Sequence, residues 1–151
     1  MSTGDQEVTL EVICVALNSR DVTVKEKALK SDFIGSGVVG RIVKAGKDAF
    51  ERQVGEVVGV YLPNLNTAQN NSHLVAEITV PVGQLVYIPN SIPHEHAACL
   101  LSSGIIAYNA LHQPRGNKVA VVGTNNLAYL TCQFAKKAFN AQVTIFGQEE
   151  G

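Results

Sequence analysis

The sequence predicts a mixed fold: a small all-β barrel before about Pro89, then the opening of an α/β unit. Two observations carry this. Short runs rich in valine and isoleucine, broken by glycine, proline and asparagine, fill the first half, as in antiparallel strands joined by turns. In the last quarter, residues 118–147 read KVAVVGTNNLAYLTCQFAKKAFNAQVTIFG: an apolar run, a glycine, a stretch of helical periodicity and a second apolar run. That order is strand, turn, helix, strand, which is how a dinucleotide-binding fold begins.

A chain of 151 residues suits one domain of ordinary size, or one domain plus part of another, and folding buries about two-thirds of its unfolded surface. It is 46% hydrophobic and 17% charged, with a formal net charge of −1. It therefore lacks the basic excess that draws proteins to nucleic acid or anionic membrane, and its expected partners are small molecules or proteins. The N-terminal MSTGDQEV has no positive region followed by an apolar core, and no run approaches the roughly 18 apolar residues of a membrane span. A soluble, cytoplasmic protein is expected. Cys14, Cys99 and Cys132 are odd in number, far apart and set in apolar segments, which predicts reduced, buried thiols.

Along the chain, residues 8–16 alternate, with Val8, Leu10, Val12, Cys14 and Ala16 on one face of a strand. Asn18-Ser19-Arg20-Asp21 breaks the pattern with turn formers, and residues 22–30 read as a short helix ending in lysines. Residues 34–45 carry glycines at 35, 37 and 40 within a Val/Ile-rich run, a bent strand of a small barrel. Residues 54–62 form the next strand, and the asparagine-rich 63–72 an exposed loop. Strands at 73–80 and 84–88 flank a Pro81-Val82-Gly83 turn. Asn90 and Ser91 supply caps, and Pro93 suits a first helical turn, for a helix from His94 to Leu101. Gly104 then interrupts, and residues 105–112 continue helically into the turn at 113–117. The final helix carries an apolar stripe of Leu127, Leu130, Phe134, Ala135 and Ala138, with Asn140 where a left-handed C-terminal residue belongs.

Taken in order, the segments EVTLEVICVALNSRDV, FIGSGVVGRIVKAG, VGEVVGVY, ITVPVGQLVYIPNSIPHEHAACL, GIIAYNALH and the strand-turn-helix from Lys118 resemble the medium-chain dehydrogenase/reductase superfamily. Within it they are similar to the zinc-free quinone oxidoreductase (zeta-crystallin) and enoyl reductase branch. The resemblance implies a GroES-like β-barrel at 1–89, connecting helices at 90–117, and the first βαβ unit of a Rossmann domain at 118–151. It also implies a chain truncated at both ends. An incomplete parallel sheet then calls for cover by a homodimer partner or another chain.

The family's chemistry, as the resemblance gives it, is NADPH-dependent hydride transfer to a quinone, enone or enoyl group. Asn18 matches the asparagine near the nicotinamide in zinc-free members, although the residue alone reads equally well as a turn former. Tyr61 falls in the region that lines the family's cleft, or simply ends a strand. The family's zinc-binding Cys, His and Cys fall on Asn18, Ser36 and Ser102, so no zinc is expected. His94 and His96 lie two apart on a helix and diverge, so the cluster around Cys99 is not read as a metal site.

Aligned to G-x-G-x-x-G/A, the phosphate turn Gly123, Thr124, Asn125, Asn126, Leu127 and Ala128 keeps glycine only in the first slot. Asn125 is able to adopt a left-handed conformation, but its side chain takes space a phosphate needs. Gly37 and Ile106 replace an acid and a hydroxyl that family members carry near the cleft. Three readings stand side by side: an NADP-dependent reductase with impaired chemistry, a catalytically inactive reductase-like domain serving as an interaction or structural module, and a truncated gene product with no independent role.

Overall fold

The computed structural model describes residues 3–17, 35, 37–49, 52–61, 74–112 and 116–147. The chain divides into two compact units, Met1–Leu101 and Ser102–Gly151. The expected helix at 22–30 and loop at 63–72 lie outside the described residues.

In the first unit, strands β1 (Glu7–Ala16), β2 (Gly37–Ala45), β3 (Val57–Val60), β4 (Glu77–Pro81) and β5 (Leu85–Tyr87) form one sheet in the order β4-β1-β2-β3-β5. Every pairing is antiparallel. Val8 and Leu10 of β1, Val38 and Ile42 of β2, Val58 and Val60 of β3, Ile78 and Val80 of β4, and Leu85 of β5 meet with Ala49 in a single buried cluster. Inward faces of all five strands reach one another only if the sheet curls around them. This is the GroES-like barrel, and each such side chain contributes about 1.5–3 kcal/mol of burial. A 3₁₀ turn at Val82–Gln84 stands where the proline-glycine turn is predicted.

The alternation expected for β1 holds only to Val12. There the register with β2 slips: Val12 lies opposite Gly40 and Cys14 opposite Val39. Ile13 is the extra residue of a β-bulge, and an inserted residue swaps the faces of everything after it. Val15, not Cys14, therefore packs against the barrel core, and Ile13 is 40% exposed. Cys14 and Val39 lie on the other face, and the fully buried Val39 stands outside the core cluster. Helix α1 (His94–Cys99) packs against β1 and β2.

Two local expectations for this helical stretch are corrected. The N-cap of α1 is Pro93, with no side-chain cap from Asn90 or Ser91. Gly104 does not interrupt: Leu100–Gly104 forms a π turn, and Gly104 keeps helical angles (φ −65°, ψ −47°) as α2 (Ile105–Leu111) begins. The wide turn absorbs an extra residue without breaking the helix. Its Leu101 packs on β3, with Cδ1 2.5 Å from where a Cβ on Gly59 would stand, so a side chain there would have to displace Leu101.

In the second unit, β6 (Lys118–Val122), α3 (Asn126–Lys137) and β7 (Gln142–Phe146) make a parallel βαβ unit, with Lys118 opposite Gln142 and Val122 opposite Phe146. Helix α2 packs against α3, and Tyr108 lies edge-on to Phe134 at 5.7 Å and tilted against Phe139 at 5.2 Å. The buried side of α3 is narrower than predicted. Ala128 and Ala135, seven residues apart, are its buried residues; Leu130 and Phe134 are half-buried, and Leu127 and Ala138 are exposed. Two strands present too narrow a face to cover a full apolar stripe. At the helix end, Asn140 adopts φ 50°, as expected, and the Ala141 N–H donates to the Ala135 carbonyl at 2.8 Å.

Candidate functional site

The turn between β6 and α3 is the feature with cofactor geometry. Gly123 sits at φ 122°, a conformation side chains strain to adopt, and its N–H donates to the Phe146 carbonyl at 2.9 Å. That bond ties the turn to the end of β7. A Cβ on Gly123 would lie 4.0 Å from the Ala128 Cβ, so the first and third slots of the motif hold helix and strand close together. Thr124 leans the other way: its Cγ2 lies 2.8 Å from the position of a Gly147 Cβ.

Asn125 is the N-cap of α3. It is extended (φ −80°, ψ 176°), not left-handed, and its Oδ1 accepts the Ala128 N–H at 3.0 Å. The reason is capping chemistry: an amide oxygen at this position satisfies one of the N–H groups that every helix start leaves without an intrahelical partner. Asn126 and Leu127 occupy the next two positions, and both are exposed. Their N–H groups point along the helix axis together with the positive end of the macrodipole. The strand, turn and helix therefore fit a dinucleotide pyrophosphate, with the Asn125 side chain lying over one of the donors it would use.

The other sequence-predicted residues lie on separate elements or outside the described residues. Asn18 and Ser36 lie outside the described residues. Tyr61 is half-buried just after β3, its N–H donating to the Gln84 carbonyl at 2.8 Å. Ser102 is half-buried in the π turn, Gly37 is buried at the start of β2, and Ile106 is exposed on α2. Among the described residues, no group of three His, Cys, Asp or Glu side chains is placed to hold a metal ion.

The sequence reading missed a groove of about 480 Å³ at the opposite end of β3 from Tyr61, lined by Glu56, Val57, Tyr87, Ile88, Asn90 and His94 among others. The pairing of Val58 with Tyr87 creates it, and no local motif announces a contact between segments thirty residues apart. Glu56 is already engaged there: the Arg52 Nη1 donates to its Oε1 at 2.8 Å.

The described cysteines are free, as expected, but none is fully buried. Cys14 and Cys132 are half-buried and Cys99 is exposed, because Ala97 and Ala98 take the inner side of α1. Partial burial pushes the Cys14 thiol above its ordinary range, with the Glu95 carboxylate and Cys99 adding to the rise. No described helix is long and apolar enough to cross a membrane.

Comparison with known proteins places this geometry in a wider fold. No family model matches the sequence. Over 74 residues the chain is 38% identical to NADP-dependent alcohol dehydrogenases C 1 and C 2 of Mycolicibacterium smegmatis, a match covering 47% of this chain and 21% of each of theirs. The structure superposes on cinnamyl alcohol dehydrogenase SbCAD4 of Sorghum bicolor with a TM-score of 0.82 at 23% identity, covering 100% of this chain and 53% of that one. A quinone oxidoreductase of Pseudomonas syringae pv. Tomato DC3000 gives 0.76 at 20% identity, over 100% of this chain and 46% of that one. Enoyl reductases are also among the matched structures. The fold is thus that of medium-chain dehydrogenase/reductase structures. The chain spans about half the length of these solved chains, and its match spans about a fifth of the curated relatives.

Proposed function

We propose that this chain carries the substrate-side barrel and the start of the cofactor domain of a zinc-free oxidoreductase that moves hydride between NADP(H) and a quinone, enone or enoyl group. The observation that carries the proposal is the parallel β6-α3-β7 unit turning on Gly123 at positive φ, with the exposed start of α3 beside it. NADP(H) supplies the hydride when bound. The chain's own residues do the rest. The Asn126 and Leu127 backbone N–H groups, at the positive end of α3, bind the pyrophosphate, and Ala128 keeps the helix close enough to the strand for that approach. Asn18 and Tyr61 belong to the substrate side, where an amide and a phenol orient a carbonyl oxygen. No thiolate, imidazole or carboxylate stands at the positions matched to the zinc ligands, so orientation in this reading comes from neutral hydrogen bonds.

Titrating the full chain with NADPH, read by cofactor fluorescence and thermal shift, tests the proposal. A saturable response is expected, weaker than a G-x-G-x-x-G turn would give. No change in either signal at millimolar NADPH overturns it.

A second reading is favoured by a different observation. Val122 is 83% exposed and Phe146 57% exposed on the β6-β7 pair, so the chain serves as an interaction module in which a second copy or a partner chain covers that sheet. Light scattering decides this one. A mass that rises above the monomer with concentration supports it, and a monodisperse monomer at high concentration removes it.

A further inference from the structure

We infer that the Asn125 side chain is an internal competitor for the dinucleotide phosphate at the start of α3. The inference rests on the cofactor reading above and narrows it to one atom. The first turn of a helix offers a few N–H groups without intrahelical partners, and these are what an anion binds. In this chain the Asn125 Oδ1 already accepts the Ala128 N–H at 3.0 Å. An amide oxygen thus stands where a phosphate oxygen would make its bond, and both cannot use the same donor at full strength.

Asn125 is exposed and extended, so its side chain is the part free to rotate away. Binding then exchanges a neutral cap for a charged one. The gain is smaller than at a turn with an empty second slot, and a dinucleotide site of reduced affinity results. Glycine at this position is compatible with the observed backbone angles and is itself an acceptable N-cap, so Asn125→Gly empties the space without dismantling the turn.

The test compares wild type, Asn125→Gly and Asn125→Asp in the full chain by isothermal titration calorimetry, with NADPH and inorganic pyrophosphate as separate probes. Thermal unfolding confirms that each variant is folded. Asn125→Gly is expected to bind both probes about tenfold more tightly, the scale of one charge-assisted hydrogen bond. Asn125→Asp keeps the cap but adds a negative charge, and binds both more weakly than wild type. The Ala128 amide resonance of the wild type should move on adding pyrophosphate, as its bond passes from the side chain to the ion, which keeps the test open if a variant fails to fold.

Equal pyrophosphate affinity in wild type and Asn125→Gly overturns the inference. If NADPH binds all three alike, the competitor falls while the cofactor reading stands. If NADPH binds none while Asn125→Gly gains affinity for pyrophosphate, the cofactor reading falls and the competitor stands. Binding of neither probe to any folded variant overturns both.

Discussion

The barrel and the βαβ unit are stabilised in different ways, although both are made of strands equally rich in valine and isoleucine. In the barrel, side chains from all five strands meet in one cluster, and Val8, Leu10, Val38, Ile42, Val58 and Val60 are fully removed from water. In the βαβ unit large apolar side chains are left outside: Val122 and Phe146, paired on one face of the two strands, are both more than half exposed. Antiparallel strands curl into a closed core with their own neighbours, whereas a parallel pair needs helices on both faces and α3 covers only one. The barrel strands bury one another, and the parallel pair leaves apolar side chains exposed.

Core truncation should separate the two regions most. Leu10→Ala in the barrel should cost about 3 kcal/mol in urea unfolding, and Val121→Ala in β6 about 1 kcal/mol; equal costs would erase the contrast. Next in size is the contact of Leu101 with Gly59. Gly59→Ala pushes a methyl into Leu101 and should cost about 1–2 kcal/mol. Adding Leu101→Ala should be less than additive with it, and a double-mutant cycle that sums within error would mean that the contact does not matter. On the exposed sheet, Val122→Ser with Phe146→Ser should change stability by only about 0.5 kcal/mol while reducing self-association in sedimentation, so a large loss of stability would show that the face is already covered.

The smallest effect concerns pH. The folded Cys14 thiol titrates above its ordinary range, so folding favours its neutral form. Its contribution is therefore fully present below the ordinary thiol range of about 8.5 and fades as pH rises through the raised value. The stability difference between wild type and Cys14→Ala should be flat through neutral pH and shift against the wild type in the alkaline limb. A difference that is flat to pH 10.5 would deny the shift.

Several features were legible because they depend on chemistry within a few residues. Alternating apolar residues announce β1, proline and glycine the turn after β4, and Gly123 the strand-to-helix turn. Asn140 marks the helix end because few other residues tolerate positive φ there. The resemblance likewise rests on segments read in order along the chain, and the barrel followed by a βαβ unit is what the structure contains.

The rest depends on pairings between distant segments. Ile13 becomes a bulge only against β2, and that decides whether Cys14 or Val15 enters the core. Gly104 looks like a break, yet sits inside a π turn beside the Leu101 that packs on Gly59. Asn125 looks like a lost glycine, and only the three-dimensional turn shows that its oxygen has taken the Ala128 N–H. Local propensity sets which conformations a segment prefers. Which of them survives is decided by the hydrogen-bond partners and core volume that the tertiary fold supplies, and at Asn125 that decision falls on the atoms a cofactor would need.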